Sequence, residues 1–301
     1  MTHIAVIILN FNRQRDTLAC LRSLAQSTHV DRSTLVLNYG APGGDDVRAE
    51  QVCADPRAQS IDLALNKGYA GNNNIGVKMA LRQGADWVLV LNEDTEIDAE
   101  CLTRMLACGE SDSRVGIVGP MVYHHDEPTV IQSAGGVLDA DWRALHAGQN
   151  ETDQGQFGQR RDVAWVSGCA ILLRRALLEQ VGLLDERMFM YWEEIDWCMR
   201  ARAAGWRVLH EPSARLWHKG VRRDYKPGAH VAYYMTRNHL YMLHKHGAPA
   251  RVCLGAWRDT LRTLISYSIR PRWRVAKSID RLMIRRALRD YLAGRWGEMP
   301  A

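Results

Sequence analysis

The sequence predicts an α/β fold with a mostly parallel central sheet flanked by helices. Short apolar runs alternate with helical patterns through the first half of the chain, and a polar cluster follows directly after each run. Strands that alternate with helices are joined by crossover connections and therefore pair in parallel. Beyond about residue 225 the pattern becomes helical and basic without a strand signal. This change predicts a C-terminal helical extension.

In the first half, strands are predicted at residues 4–9, 34–37 and 87–91, with helices at about 16–26 and 74–83. The polar clusters after these strands are Asn10-Phe11-Asn12, Asn38-Tyr39-Gly40 and Asn92-Glu93-Asp94. The carboxyl ends of parallel strands lie at one edge of a sheet. We therefore expect the three clusters to converge on one site.

In the second half, a helix is predicted after Glu100, a strand at 115–118, and loops or a hairpin over the glycine-rich residues 124–159. A further strand is predicted at 164–173 and a helix at 175–181. Another helix is predicted from 194 to 204, and Gly205 lies where a C-cap glycine is expected. The sheet should therefore continue into this half of the chain.

The 301-residue chain carries a formal net charge of +5 and seven cysteines. An odd number of cysteines without a CxxC pair argues against a disulfide framework or a thiolate zinc site, and fits a reducing cytoplasm. The apolar run at residues 4–9 is too short for a signal peptide and lacks a basic region before it. Arginines interrupt the best late candidate for a run of roughly 18 apolar residues. We therefore expect a cytoplasmic protein that does not span a membrane.

The basic character of the chain lies in its tail. Residues 251–301 contain twelve arginines and lysines against four acidic residues. From residue 275 onward apolar and cationic side chains recur at helical spacing. This pattern is typical of a helix on an anionic membrane surface, and equally of a helix packed on the protein with a solvated arginine face. Nucleic acid is not expected as a partner, because the charge is confined to the tail and no matching motif accompanies it.

Two acidic clusters and a later histidine could carry chemistry: Asn92-Glu93-Asp94, Glu193-Glu194-Ile195-Asp196, and His218. Carboxylates and an imidazole at a sheet edge are suited to hold a divalent cation against a diphosphate. Each acidic cluster alone is equally consistent with acids in the first turn of a helix. For Asp94 that alternative requires a helix that begins near Thr95. Together the three features predict a metal-assisted transferase.

The segment 66–76 is rich in glycine and asparagine and leads into a predicted helix. It matches neither GxGxxG nor a Walker A loop, which weakens dinucleotide-binding and ATP-binding interpretations. Its glycines would let the backbone approach a phosphate or a ribose, and its amides would donate hydrogen bonds. An ordinary helix-entry loop is the alternative.

Taken in order, these segments resemble glycosyltransferase family 2, the inverting enzymes of the GT-A (Rossmann-like) fold, and most of all bacterial rhamnosyltransferases of surface-polysaccharide assembly. The resemblance is carried by residues 6–12, 66–76, 91–95, 167–175, 184–196, His218 and 233–238. It covers most of residues 4–240 and is most specific at 189–200. It implies a GT-A catalytic domain at 1–224, with a nucleotide-sugar-binding half at 1–110 and an acceptor and catalytic-base half at 111–224. A basic helical region at 225–301 follows.

The resemblance also implies roles for the acidic residues. In an inverting transfer a base takes the proton of the acceptor hydroxyl, while a cation neutralises the departing diphosphate. By position in the family motif, Glu194 is the base, and Asp94 and His218 hold Mg²⁺ or Mn²⁺.

Three neighbours of the base are expected to serve the acceptor or the base itself: Trp192, Glu193 and Asp196. Trp192 would stack on an apolar sugar face, and core packing is the alternative. If Glu193 and Glu194 both lie close to one hydroxyl, their repulsion raises the pKa of one toward the operating pH. Asp196 would orient the acceptor or brace the base.

The residues implied to bind the nucleotide are Leu9, Phe11, Asn38, Asn66, Asn74 and Asn92. The family usually has Asp-Asn-x-Ser-x-Asp after the second strand, whereas residues 38–45 here read NYGAPGGD. Asn38 can still accept a hydrogen bond from a nucleobase through its amide oxygen, but without charge assistance. An altered nucleotide preference follows as a hypothesis.

These features together predict a metal-dependent inverting glycosyltransferase. It would move L-rhamnose from dTDP-rhamnose to a glycan or lipid-linked acceptor in cell-surface polysaccharide biosynthesis. If the basic tail binds membrane, the protein would act at the inner face of the cell membrane. UDP-hexose or UDP-galactofuranose as donor is the nearest alternative. A nucleotide-sugar-binding protein with impaired catalysis and a nucleotidyltransferase are alternatives from other classes.

Overall fold

The structure is a computed structural model that describes residues 2–40, 55–220 and 227–300. It has an α/β architecture in which helices cover both faces of one large central sheet, as the sequence predicts. The predicted boundary between residues 224 and 225 lies outside the described residues, as do residues 41–45 of the segment that departs from the family pattern.

The strands, in chain order, are β1 (Ile4–Asn10), β2 (Arg32–Asn38), β3 (Ala58–Asp62), β4 (Trp87–Asn92), β5 (Thr95–Ile97), β6 (Val115–His124), β7 (Ile131–Ser133), β8 (Gly136–Leu138), β9 (Ala144–His146), β10 (Arg161–Asp162), β11 (Ala170–Arg174) and β12 (Arg207–His218). The sheet order is β10-β12-β6-β11-β4-β1-β2-β3, with β5 on β12 and β7 on β6. β8 and β9 form a separate hairpin. β11 runs antiparallel to both β4 and β6, whereas β1, β2, β3 and β4 pair in parallel.

β1 shows how the sequence builds two layers. All seven of its residues are buried, and alternate side chains of a strand point to opposite faces of the sheet. Ile4 and Val6 pack under α1 (Gln14–Ala25) and α3 (Cys101–Glu110), whereas Ala5 and Ile7 pack under α2 (Gly68–Arg82). A continuous apolar run therefore becomes a strand covered on both faces.

The second half adds α4 (Arg175–Val181) and α5 (Glu193–Ala203) to the face that α2 covers. α5 ends just before Gly205, whose φ of 88° suits a glycine, as predicted. The carboxyl ends of β1, β2 and β4 meet at one edge, with Asn10 opposite Asn38 and Leu9 opposite Asn92. The predicted convergence of the three polar clusters is confirmed.

The structure differs from the predicted elements at several places. β3 and β12 have no counterpart among the predicted strands. β3 is only partly buried, and β12 shifts register on β6 between Glu211 and Arg215, so neither shows a regular apolar pattern. Thr95 begins β5 rather than a helix, so the helix-cap interpretation of Asp94 is wrong. The strand predicted from residue 164 begins only at Ala170.

The C-terminal region forms α6 (Ala229–Lys245), α7 (Ala250–Ile269), α8 (Pro271–Ala276) and α9 (Ser278–Leu292). Tyr241 of α6 and Val252 of α7 belong to the main core, and Tyr291 and Trp296 pack against it. In the three described ranges, no helix is both long and apolar enough to cross a membrane.

Candidate active site

Asp94 lies two residues after the end of β4 and is only 4% exposed. Its Oδ1 lies 3.1 Å from Nε2 of His218, and its Oδ2 accepts a 2.6 Å hydrogen bond from Nη1 of Arg13. Burial opposes the charge on this carboxylate, but His218 and Arg13 outweigh it and lower the pKa of Asp94 to about 2. Asp94 is therefore ionised at physiological pH.

His218 is the last residue of β12 and pairs with Thr95 of β5, which brings its ring to Asp94. Its Nδ1 lies 2.8 Å from Oε1 of Gln132. A carbonyl oxygen only accepts hydrogen bonds, so Nδ1 carries a proton and Nε2 is the ring nitrogen that faces Asp94. An imidazole held through Nδ1 in this way would offer Nε2 to a metal ion.

Asp94 and His218 fit a pair of ligands for Mg²⁺ or Mn²⁺. The lone pair of Nε2 and a carboxylate oxygen repel each other at 3.1 Å unless a cation or a proton lies between them. Neighbouring ligands of an octahedral ion with bonds of about 2.1 Å lie roughly 3 Å apart, which agrees with this separation. In the described part of the chain, no group of three or more His, Cys, Asp or Glu side chains is arranged to hold a metal ion. The remaining ligands would be phosphate oxygens and water.

Arg13 is a site residue that the sequence prediction does not include. It lies between β1 and α1 and pairs with Asp16 at 2.8 Å as well as with Asp94. Its signal in the sequence is weak, because an arginine three residues before an aspartate at a helix start suggests only a local pair. Its guanidinium places positive charge where a diphosphate would approach the metal ligands.

Glu194 lies in the first turn of α5 and shares a cavity of about 400 Å³ with Glu193, Asp94 and His218. Burial raises the pKa of Glu194 to about 7, although backbone N–H groups at the start of the helix work against this. Among the described residues, Oε2 of Glu194 has no hydrogen-bond partner. A buried carboxylate oxygen with a pKa near neutrality and no internal partner is suited to accept a proton.

Glu193 has a different environment from Glu194. It is 5% exposed, and burial together with the charge of Glu194 raises the pKa of Glu193 well above its usual value. Burial and mutual repulsion therefore keep a proton on this pair more readily than on two isolated glutamates.

The loop before α5 has an unusual backbone. Phe189, Tyr191 and Trp192 have φ angles of 64°, 67° and 78°, in the left-handed region that side chains other than glycine disfavour. Such conformations cost about 1–3 kcal/mol each and persist only where the surroundings hold them.

Two fully buried residues of α6, Arg237 and Asn238, hold this loop. The amide nitrogen of Asn238 donates to the carbonyl groups of Met188, Met190 and Tyr191, at 2.8, 2.8 and 3.0 Å. Arg237 donates to the carbonyl groups of Arg187 and Met188. α6 therefore fixes the loop that leads into Glu193 and Glu194. We call this loop, residues 188–192, the base loop.

The residues expected at the nucleobase lie at the same edge of the sheet. Leu9 is buried at the end of β1, and Phe11 is 46% exposed with its ring stacked on Tyr39 at 5.0 Å. Asn92 and Tyr39 line the cavity that contains the acidic residues. At this edge the ring of Phe11 therefore lies beside the polar residues at the strand ends.

Asn38 belongs to a hydrogen-bonded row across three strands. Its Oδ1 accepts from Asn10, and its Nδ2 donates to Oδ1 of Asp62 at 2.7 Å. Asp62 ends β3 directly opposite Asn38. The carboxylate of Asp62 thus lies one strand away from the position after β2 where the family has a carboxylate. The sequence prediction did not include Asp62, because it did not include β3.

Asn66 and Asn74 both make hydrogen bonds within the protein. Asn66 accepts from the backbone N–H of Gly68 at 2.8 Å. Asn74 is 2% exposed, accepts from the backbone of Leu184, and donates to Leu184 and Glu186. Its amide is used to join α2 to the segment before α5. The structure therefore gives Asn74 a structural role rather than the expected nucleotide contact.

Trp192 and Asp196 lie away from Asp94. Trp192 stacks on His239 at 4.6 Å and lines a separate cavity of about 340 Å³. Asp196 is fully buried and pairs with Arg200 and Lys245 at 2.9 and 2.6 Å. Burial removes Asp196 from contact with an acceptor, so of its two expected roles only bracing the base helix agrees with the structure.

A sheet-edge site with a paired carboxylate and imidazole, facing a carboxylate of raised pKa, is suited to group transfer from a diphosphate. Comparison with known proteins agrees. Residues 2–237 match the family described as "Glycosyltransferase like family 2". The chain belongs to this family, and it is a glycosyltransferase.

The chain is similar to the N-acetylglucosaminyl-diphospho-decaprenol L-rhamnosyltransferase of Mycobacterium tuberculosis, with 28% identity over 286 residues and 89% of each chain covered. It is also similar to galactofuranosyltransferase GlfT1 of the same organism, with 30% identity over 210 residues, or 68% of this chain and 66% of that protein. Among solved structures, mannosyltransferase PcManGT from Pyrobaculum calidifontis, in complex with GDP-Man and Mn²⁺, has a TM-score of 0.60 at 12% identity. That match covers 97% of this chain and 87% of that chain, and it shows that the two proteins share a fold.

Proposed function

We propose that this protein is a metal-dependent inverting glycosyltransferase that transfers L-rhamnose from dTDP-rhamnose to a lipid-linked saccharide acceptor. The observation that carries the proposal is that Asp94, His218 and Glu194 line one cavity. Asp94 and His218, the proposed metal ligands, would thus act on the departing diphosphate. Glu194, the proposed base, would act on the hydroxyl of the acceptor. Similarity to an N-acetylglucosaminyl-diphospho-decaprenol L-rhamnosyltransferase supports the choice of donor and acceptor.

In the proposed reaction, Glu194 accepts the proton of the acceptor hydroxyl as its oxygen bonds to the anomeric carbon. The bond from that carbon to the diphosphate breaks on the opposite side, so the configuration inverts. Asp94 and His218 would hold Mg²⁺ or Mn²⁺, which supplies charge that stabilises the departing diphosphate. Arg13 would neutralise further phosphate charge from the side of β1.

The test is a screen of purified protein with dTDP-rhamnose, UDP-galactofuranose, UDP-hexoses and GDP-mannose, each with Mn²⁺ or Mg²⁺ and a lipid-diphosphate-linked saccharide. We expect nucleoside diphosphate release and a glycosylated product with dTDP-rhamnose, and loss of both with EDTA. A product only with UDP-galactofuranose would reject the donor but keep the reaction. Nucleotide binding without any product would favour the binding protein, and pyrophosphate release from a nucleoside triphosphate would favour the nucleotidyltransferase.

Glu194→Gln tests the base, with Glu179→Gln as the matched control because Glu179 lies on the solvent side of α4. We expect Glu194→Gln to lower kcat on the order of 1000-fold while nucleotide affinity is retained. The control should keep the wild-type rate. Turnover of Glu194→Gln at the wild-type rate would reject this residue as the base.

A further inference from the structure

The outer face of α7 and α8 carries large apolar side chains in contact with solvent. Of the residues of α7, Val252 alone is buried. Ile265 is 55% exposed, Ile269 is 69% exposed, and Val275 of α8 is 81% exposed. Single exposed apolar residues are ordinary on protein surfaces, but a contiguous set marks an interaction surface.

Two of these apolar residues, Ile265 and Ile269, are contiguous. Ile265 and Ile269 line one groove of about 540 Å³ with Arg262, Arg270 and Trp273. Arg270 and Arg272 lie over the ring of Trp273, with 5.1 and 4.9 Å from guanidinium carbon to ring centroid. We call the surface formed by Arg262, Ile265, Ile269, Arg270 and Trp273 the docking face.

The charge around the docking face has one sign. Residues 260–289 contain nine arginines and lysines and one acidic residue, Asp280. That carboxylate is engaged by Lys277 at 2.7 Å. Exposed aliphatic side chains therefore lie among an excess of cations, and the other two acids of these helices, Asp259 and Asp290, are paired with Arg143 and Arg289.

We propose that the docking face binds the surface of an anionic membrane. Apolar side chains would enter the boundary between lipid headgroups and acyl chains, while the arginines contact anionic headgroups and Trp273 takes the interfacial position that tryptophan prefers. A second copy of this chain in a two-fold dimer would place like charge against like. A nucleic acid would match the arginines but leave the aliphatic side chains in water.

The position of the docking face indicates a role for membrane binding in the reaction, and this part of the inference rests on the proposed function. Thr263 lines both the docking groove and the cavity beside Trp192 and His239. Trp192 in turn directly precedes Glu193 and Glu194. Membrane binding would therefore orient the cavity next to the base loop toward the bilayer. A lipid-linked acceptor would reach the base through this cavity.

Vesicle flotation tests the membrane binding without any sugar transfer, so its outcome is independent of the proposed function. The full chain is mixed with vesicles of phosphatidylcholine alone, or of phosphatidylcholine with phosphatidylglycerol. We expect the protein to float with the anionic vesicles only, and less so as salt is raised. Sedimentation away from anionic vesicles at low salt would overturn the proposal.

Two variants test the two components of the docking face. Arg270→Gln/Arg272→Gln/Arg274→Gln should weaken partition on the order of 100-fold, because each cation near an anionic surface contributes severalfold. Ile265→Ser/Ile269→Ser should weaken it about tenfold or more. The matched control, Arg22→Gln/Arg82→Gln/Arg202→Gln, removes the same charge from exposed positions outside the tail.

Circular dichroism confirms that each variant is folded before flotation. Equal loss of binding in the control and in the docking-face arginine variant would overturn the proposal, because total charge would then explain the binding. A stable dimer that Ile265→Ser/Ile269→Ser dissociates, without vesicle binding by the wild type, would also overturn it and assign the face to self-association.

Discussion

Gly220 lies against both proposed metal ligands. A Cβ at this position would lie 2.5 Å from Oδ2 of Asp94 and 3.0 Å from Nε2 of His218. We predict that Gly220→Ala lowers metal-dependent transfer at least about tenfold, because a displaced ligand binds the ion more weakly. Gly255→Ala is the control, since a Cβ there meets open space. Mn²⁺ affinity by titration calorimetry and the rate of transfer are the measurements, and wild-type values for Gly220→Ala would refute the prediction.

The pH dependence of transfer should report Glu194. Its pKa is raised to about 7 by burial, and a base acts only when deprotonated, so kcat should rise with pH to a plateau about one unit above 7. Near Glu194, burial raises the pKa of Cys169 to about 12 and that of Tyr69 well above 10, so neither group titrates in this range. Burial also raises the pKa of Glu93 to about 7, so the midpoint is compared with that of Glu93→Gln, which should leave it in place. A rate that falls between pH 6 and 8, or does not change, would contradict the role of Glu194.

Asp62 is predicted to supply the carboxylate that the second strand lacks. Its Oδ1 lies 2.7 Å from Nδ2 of Asn38, and a charged acceptor strengthens a hydrogen bond. Asp62→Asn should weaken nucleotide binding about tenfold in titration calorimetry. Asn38→Asp should not strengthen it, because two carboxylates would then face each other. Unchanged affinity in Asp62→Asn would show that the carboxylate has no part in binding the nucleotide.

At the scale of elements, the base loop depends on α6 more than on its own sequence. Three of its residues have left-handed φ angles, and the amide of Asn238 holds three of its carbonyl groups. Glu194 can thus be buried with a raised pKa at the start of a helix, where the macrodipole alone would lower the pKa of a carboxylate.

Asn238→Ala should release this loop. We predict a loss of about 1–3 kcal/mol in the free energy of unfolding, because buried carbonyl groups lose their donor, together with a lower kcat. The midpoint of the pH profile should move below 7, toward an ordinary glutamate, because water would reach Glu194. Leu24→Ala, a core substitution in α1, is the control that destabilises the fold without moving that midpoint. An unmoved midpoint in Asn238→Ala would reduce Asn238 to a purely structural residue.

At the scale of the whole molecule, the C-terminal helices are part of the fold. Tyr233 of α6 donates to Asp290 of α9, and Arg237 donates to the carbonyl group of Gly297. Tyr291 and Trp296 pack on the main core. The described C-terminal segment therefore supports the same α6 that holds the base loop.

We predict that a chain ending at residue 248 is unstable. The loss of α7, α8 and α9 would remove Asp290 from Tyr233 and the carbonyl group of Gly297 from Arg237, and would expose the core that Tyr291 and Trp296 cover, at a cost of several kcal/mol. Thermal unfolding followed by circular dichroism, with the full chain as reference, is the measurement. A truncated chain that unfolds cooperatively at the wild-type temperature would show that residues 249–301 are an independent appendage.

The sequence alone determined the α/β class, the convergence of Asn10, Asn38 and Asn92, and the helix of Glu194, because alternating apolar runs and local caps set these elements residue by residue. Tertiary structure decided the rest. The placing of Arg13 and Gln132 around Asp94 and His218 depends on pairing between strands far apart in the chain, and β12 has no regular apolar pattern that would reveal it. The raised pKa of Glu194 likewise depends on burial and on a loop fixed by α6. A linear pattern specifies which face of each element is buried, but not which distant element covers it.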